Sequence, residues 1–73
     1  GPALEPSAYL LIREGFVEPR SGFEVETIYS LSGQVVWRQS NAPVQWPIAL
    51  APGVYIMHGR AENRHLRYKV IVP

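Results

Sequence analysis

The chain is short and carries a modest proportion of charged residues. It has 73 residues, of which 47% are hydrophobic and 18% charged, a composition typical of one small folded domain rather than a disordered segment. It contains no cysteine, which excludes disulfides, thiolate chemistry and cysteine-based structural metal sites but does not place the protein in a compartment.

The formal net charge of +1 conceals an uneven distribution. Residues 1–26 hold five glutamates and two arginines, whereas residues 60–73 hold four of the seven basic residues and one acid. Four cations without a wider positive excess are weak evidence for a nucleic-acid partner, so we interpret them as a solvated strand face and expect none. No apolar run approaches the roughly 20 residues that cross a bilayer, and we expect no membrane insertion.

The N-terminus predicts the limits of the domain. Gly1 and Pro2 resemble the remnant of a cleaved fusion tag. We therefore assign residues 1–2 to the remnant and residues 3–73 to a single β domain.

The hydrophobic pattern predicts strands throughout. No sustained helical spacing of apolar residues is found, and seven prolines and six glycines punctuate the chain. Residues 9–12 and 16–17 indicate two short strands, followed by a turn at 18–22. From residue 23 to 31 the large side chains fall at Phe23, Val25 and then Ile28, a change of phase that predicts a β-bulge.

The middle of the chain predicts two further strands. A tight turn at Ser32 and Gly33 leads into residues 35–37, and a polar loop covers residues 39–43. Residues 44–50 then alternate large apolar side chains with smaller or polar ones, which predicts a half-buried strand. Because Pro47 has no N–H to donate, we place this strand at the periphery. The large apolar residues of the run are Val44, Trp46, Ile48 and Leu50.

The last third contains the clearest pattern. Pro52 and Gly53 predict a type II turn that reverses the chain, after which Tyr55 can pack its ring while its hydroxyl satisfies the backbone of the turn. Residues 54–59, apolar on both faces, predict a central strand. After a polar break at 62–64, the final run alternates between an apolar and a polar face and should end the sheet. Its apolar face holds Leu66, Tyr68, Val70 and Val72, and its other face holds His65, Arg67, Lys69 and Ile71.

Six or seven short strands separated by turns predict an all-β fold, an immunoglobulin-like antiparallel β-sandwich. Trp37 and Trp46 are the obvious large side chains for its core. The exposed strand edges also allow strand exchange or a homodimer.

The sequence offers no convincing catalytic or metal site. His58 and His65 could face each other on paired strands but have no third ligand nearby. Glu24 and Glu26 share a strand face, which is more typical of a solvated edge than of a catalytic carboxylate pair. No serine lies in a nucleophile elbow and no glycine-rich phosphate loop is present. We therefore expect no enzyme activity, catalytic residue, metal or cofactor.

Two segments resemble a known family. Residues 50–56 read Leu-Ala-Pro-Gly-Val-Tyr-Ile, and residues 69–73 read Lys-Val-Ile-Val-Pro. They are similar to the ending of the C-terminal sorting domains of type IX (Por) secretion cargo in Bacteroidota. Upstream, residues 28–36 resemble that family's strand, glycine turn and strand. The Pro-Asn-Pro-type segment common in the family is missing, and residues 17–22 are the nearest substitute.

The resemblance implies a C-terminal secretion signal. Such a domain is read by the type IX translocon, exports its parent protein from the periplasm to the outer membrane, the cell surface or the medium, and is usually removed by a sortase-like peptidase. We expect the translocon to read the turn and the last strand through edge pairing. The residues expected to bind are Pro52, Gly53, Tyr55, Arg67, Lys69, Val70, Ile71 and Val72.

Two other functions remain open at the level of sequence. The missing segment is compatible with an uncleaved C-terminal domain in a component of the machinery. Trp37, Trp46, Tyr29 and Tyr68 could instead form a carbohydrate platform in an immunoglobulin-like accessory module that binds sugar or protein. We favour a core role for the two tryptophans, because a domain this small needs its large apolar side chains inside.

Overall fold

A computed structural model describes residues 9–40, 42 and 45–73. The predicted all-β fold is confirmed: these residues form seven antiparallel strands and no helix, and so no helix long enough to cross a membrane. The strands are β1 (Leu10–Arg13), β2 (Phe16–Pro19), β3 (Phe23–Ser30), β4 (Val35–Arg38), β5 (Ile48–Ala49), β6 (Gly53–Ala61) and β7 (Arg64–Val72). The predicted tag remnant, residues 1–2, lies outside the described part of the chain.

The strands form two sheets. One has the order β1-β2-β5 and the other has the order β4-β3-β6-β7. Lettered as in immunoglobulin domains, these are strands A, B and E facing strands C′, C, F and G. As predicted, β6 is central in the larger sheet and β7 ends it.

The core lies between the sheets and follows the period-two pattern of each strand. In β7 every second residue is buried, which confirms the predicted alternation. Val17 from the smaller sheet and Val25, Ile28, Met57 and Val70 from the larger one are the most completely buried large side chains. Apolar burial of this kind provides most of the free energy that opposes the loss of chain entropy on folding.

Three aromatic rings close one end of the core. The ring centroids of Tyr9, Phe23 and Tyr68 lie 5.2 to 5.9 Å apart, within the range of favourable aromatic pairs. The Tyr68 hydroxyl donates to Met57 Sδ at 3.7 Å. Burial, with a smaller contribution from Tyr9, raises the pKa of the Tyr68 hydroxyl well above its usual value.

A β-bulge accounts for the change of phase in β3. The register between β3 and β6 shifts between Val25 and Thr27, so Glu26 is the extra residue. Beside the bulge, Gly59 is paired with Val25 and covered by the Phe23 ring. A Cβ at Gly59 would lie 2.5 Å from the Glu24 carbonyl oxygen and 2.7 Å from Phe23 Cε1. Only glycine fits this position without displacing its neighbours.

The β6–β7 hairpin is long and regular. Its ladder runs without a register shift from Gly53 opposite Val72 to Ala61 opposite Arg64. The two residues of its turn, Glu62 and Asn63, have φ values of +51° and +62°. Positive φ at both positions is the type I′ geometry, whose twist matches that of the paired strands.

Two features of residues 44–53 differ from the predictions. The strand is shorter than expected: only Ile48 and Ala49 pair with β2, directly after Pro47, which cannot donate a hydrogen bond. Its position at the edge of the smaller sheet is confirmed, whereas Val44 lies outside the described residues. Gly53 has a φ of +158°, close to extended, whereas a type II turn needs about +80°. Residues 50–52 therefore cross from one sheet to the other instead of forming a tight reversal.

The two tryptophans also differ from expectation. Trp37 and Trp46 are partly buried and pack against the core from outside, with their ring centroids 5.1 Å apart. The aliphatic residues of both sheets and Phe23 fill the space that the prediction assigned to them. Both tryptophans therefore contribute to the core as partly buried rings at its margin, and not as the fully buried side chains that were predicted.

Candidate partner-binding surface

A tyrosine corner fixes the start of β6. The Tyr55 hydroxyl donates to the Ala51 carbonyl oxygen at 2.6 Å, and the ring is 8% exposed. This is the predicted satisfaction of backbone by the tyrosine that follows the Pro-Gly step, and it matches the tyrosine corner of immunoglobulin-like domains. Met57, two residues further on, takes the place that the second cysteine has in antibody domains. The corner therefore holds the crossing segment against the larger sheet.

The described strand β7 forms a long free edge. It lies last in the larger sheet, and no described strand pairs with its outer side. It has nine residues, whereas the edge strands β1 and β4 have four each and β5 has two. Short edge strands and bulges protect sheets from unwanted pairing. β7 is neither short nor bulged, so its backbone is the most accessible template for another strand.

The structure brings most of the predicted binding residues together. Gly53 pairs with Val72 and Tyr55 with Val70, so the corner adjoins the end of β7. Arg67, Lys69 and Ile71 point outward and are exposed, as is Pro52. The side chains of Tyr55, Val70 and Val72 are buried. Tyr55 is also paired on both sides, with Ser30 and Val70, so of the three only Val70 and Val72 could meet a partner, and only through their backbone.

The outward side of the larger sheet carries an apolar patch. Leu31, Val35, Val36 and Ile71 are between 45% and 65% exposed. A shallow cavity of about 260 Å³ lies beside Leu31, lined in part by Tyr29, Ile56, His58 and Arg67. We define this side of the sheet as the outer face. The sequence pattern did not identify it as a candidate site, although exposed apolar residues that cluster are a recognised sign of interaction surfaces.

Charges on the outer face are divided into two groups. Glu26 lies 3.5 Å from Arg60 Nη2 and 3.4 Å from His65 Nδ1, and the side chains are part-exposed, so each contact is worth only tenths of a kcal/mol to about 1 kcal/mol. Arg67 and Lys69 form no ion pair with any described residue. Arg67 nevertheless lines a small cavity together with Glu26 and His65, and Lys69 lies two residues further along β7.

The remaining candidate residues do not form a chemical site. His58 lies opposite Arg67 and His65 opposite Arg60, so the two histidines do not face each other as the sequence allowed. The His58 ring packs edge-on against Tyr29, with centroids 5.0 Å apart. Glu24 is exposed and Glu26 lies beside Arg60 and His65, but β3 is an inner strand of its sheet, so the prediction that these glutamates lie at an edge is wrong. No group of three potential metal ligands occurs within the described ranges.

Comparison with known proteins identifies no relative. No protein-family model matches the chain, and neither the curated proteins nor the solved structures contain a significant match.

Proposed function

We propose that this chain is a non-catalytic sorting domain, read by the type IX translocon for export of its parent protein across the outer membrane. The observation that carries the proposal is the free edge of β7, which adjoins the tyrosine corner. A strand that is accessible along its whole length can pair with a receptor strand by β-augmentation. The domain in this role is carried through the periplasm and presented at the outer membrane.

The two segments that resemble the sorting-domain family are paired in the structure, which supports the proposal. Residues 50–56 and 69–73 are distant in sequence, yet Val54 pairs with Ile71 and Tyr55 with Val70. The Pro-Gly-Val-Tyr segment and the terminal basic-hydrophobic segment therefore lie side by side, and Pro52, Lys69 and Ile71 are among their exposed members. A receptor that needs both segments could read them in a single contact, which accounts physically for their joint presence.

Export of a reporter tests the proposal directly. The complete chain is fused to the C-terminus of a periplasmic reporter enzyme and expressed in a Bacteroidota host with an active type IX system. We expect the reporter at the cell surface or in the medium, and in the periplasm when the host lacks its translocon. The reporter without the domain is the matched control and should stay in the periplasm of both hosts.

The same experiment discriminates the alternatives. A fusion lacking residues 65–73 should remain in the periplasm, with its amount measured by immunoblotting to exclude degradation. Export from the translocon-deficient host, or retention of the complete fusion in both hosts, would contradict the proposal. The mass of the exported reporter shows whether a sortase-like peptidase removes the domain. An exported reporter that still carries the domain would favour the machinery-component alternative. Specific binding on a glycan array would favour the accessory module.

A further inference from the structure

We propose that the free edge of β7 binds an extended, acidic peptide segment of a partner protein, which joins the larger sheet as a fifth strand. This inference rests on the proposed function only for the identity of the partner, which would be part of the translocon. The chemistry of the segment follows from β7 itself and can be tested with the isolated domain.

The backbone of β7 suits strand addition. The strand has nine residues, contains no proline and keeps one register along its whole length. Main-chain hydrogen bonds to an added strand would supply affinity, and alternate side chains would supply selectivity. The other edge strands of the described structure are less than half as long. β7 is therefore the edge that an added strand would use.

The side chains of β7 specify the charge of the partner. Its outward residues include Arg67 and Lys69, and the strand contains no acid. Both cations lack an ion-pair partner among the described residues. On paired strands, side chains directly opposite each other are about 4.5–5.5 Å apart and opposite charges stabilise the pair. The added strand should therefore carry acids opposite Arg67 and Lys69.

The third outward position extends the pattern. Ile71 is 63% exposed and lies opposite Val54 on the neighbouring strand. An apolar residue of the partner placed beside Ile71 would cover that side chain. The preferred segment thus has an acid, a second acid two positions away, and an apolar residue two positions beyond. A parallel partner reads this order from its N-terminus and an antiparallel partner reads it in reverse.

The same charges oppose pairing between two copies of the chain. Two β7 strands placed side by side bring Arg67 and Lys69 of one copy close to the same cations of the other. Like charges at opposed positions destabilise paired strands, and lysine on an edge discourages association of identical sheets. The charge pattern therefore selects an acidic segment over a second copy, in contrast to the homodimer that the sequence allowed.

Titration with synthetic peptides tests the inference. The probe is a peptide of the length of β7 with glutamate at the two alternate positions that face Arg67 and Lys69 and valine elsewhere, made in the parallel and the antiparallel order, added to the isotopically labelled chain and followed by NMR. We expect chemical-shift changes and slowed amide exchange along β7. The double variant Arg67→Glu, Lys69→Glu should bind this peptide about tenfold more weakly or worse, and should gain binding to the peptide with lysine in place of glutamate.

Controls separate strand addition from plain charge attraction. Arg38→Glu reverses a charge on β4, the opposite edge of the same sheet, and should leave the affinity within about twofold of the parent value. Two peptides N-methylated on alternate residues complete the controls: the one whose free amides face β7 should bind, and the one whose methylated amides face β7 should not. A scrambled peptide with consecutive glutamates should bind weakly.

Three results would overturn the inference. They are equal binding of the scrambled and alternating peptides, equal binding of both N-methylated peptides, and concentration-dependent dimerisation through β7 in light scattering. Failure of reporter export with intact peptide binding would refute the proposed function alone. Export without peptide binding would refute the acidic-segment inference alone.

Discussion

Substitution of Gly59 by alanine should destabilise the domain by steric overlap. Gly59 lies where the backbone of β6 approaches the β3 bulge, and its Cβ would meet the Glu24 carbonyl oxygen at 2.5 Å and Phe23 Cε1 at 2.7 Å. The Phe23 ring is only 6% exposed and packs against two tyrosine rings, so it cannot move aside freely. Overpacking of this kind costs about 2–3 kcal/mol.

That cost is a large part of the stability of so small a domain, which is about 4–11 kcal/mol. Urea unfolding followed by the fluorescence of Trp37 and Trp46 measures it. With a denaturant slope of about 1 kcal/mol per M, the midpoint should fall by about 2–3 M. A midpoint within about 0.3 M of the parent value would show that the overlap is relieved without cost and would refute the reasoning.

Two further variants separate the steric cause from other effects. Phe23→Leu removes the ring that covers Gly59, so the double variant Phe23→Leu, Gly59→Ala should be more stable than the sum of the single effects predicts, by about 1 kcal/mol or more. Gly33→Ala is the matched control, because Gly33 has a φ of +90° but no atom within 4 Å of the point that a Cβ would occupy. Gly33→Ala should lower the free energy of unfolding only by the conformational cost of a side chain at positive φ, about 1–2 kcal/mol. Additive effects in the double variant would contradict contact between the two sites.

The two buried tyrosine hydroxyls give further predictions. Tyr55→Phe removes the hydrogen bond to Ala51 and should lower the free energy of unfolding in urea by about 0.5–1.5 kcal/mol. The hydroxyl of Tyr29 bonds no described residue, so Tyr29→Phe should lower it by less. Equal losses in the two variants would argue against the tyrosine corner. Burial raises the pKa of the Tyr68 hydroxyl in the folded domain. The contribution of Tyr68 to stability is therefore complete below the unfolded pKa of about 10. It is lost as the pH rises toward the folded pKa, because over that range only the unfolded state releases the proton. Tyr68→Phe should flatten the fall in stability between about pH 10 and 11, measured by urea unfolding at each pH; an unchanged slope would show that Tyr68 ionises freely in the folded domain.

The sequence predicted the fold where one face of a strand is buried. In β7 the strict alternation of apolar and polar residues specified both the strand and its inward face. The change of phase after Val25 predicted a bulge, and the bulge is present at Glu26. Residues 44–50 gave an equally clear alternation but a strand of only two residues. Pattern reports which side chains can be buried, whereas backbone pairing also needs a neighbouring strand in register.

The candidate site was predicted less completely than the fold. The hydroxyl contact of Tyr55 and the outward direction of Arg67 and Lys69 were foreseen. The outer face was not, because its exposed apolar residues come from one turn and from two separate strands, β4 and β7. The requirement for glycine at position 59 was equally invisible, since it depends on the Phe23 ring of another strand.

The two-residue turn of the β6–β7 hairpin has a consequence for the order of folding. The entropy lost on closing a loop rises with its length, and this hairpin joins the two longest strands of the described structure by two residues; the β1–β2 loop is equally short, but it pairs only four residues of each strand. β3 can pair with β6 only after residues 31–52 have been brought round. We therefore expect the transition state to contain the hairpin largely formed. Substitutions within it should slow folding, whereas those in the smaller sheet should mainly accelerate unfolding.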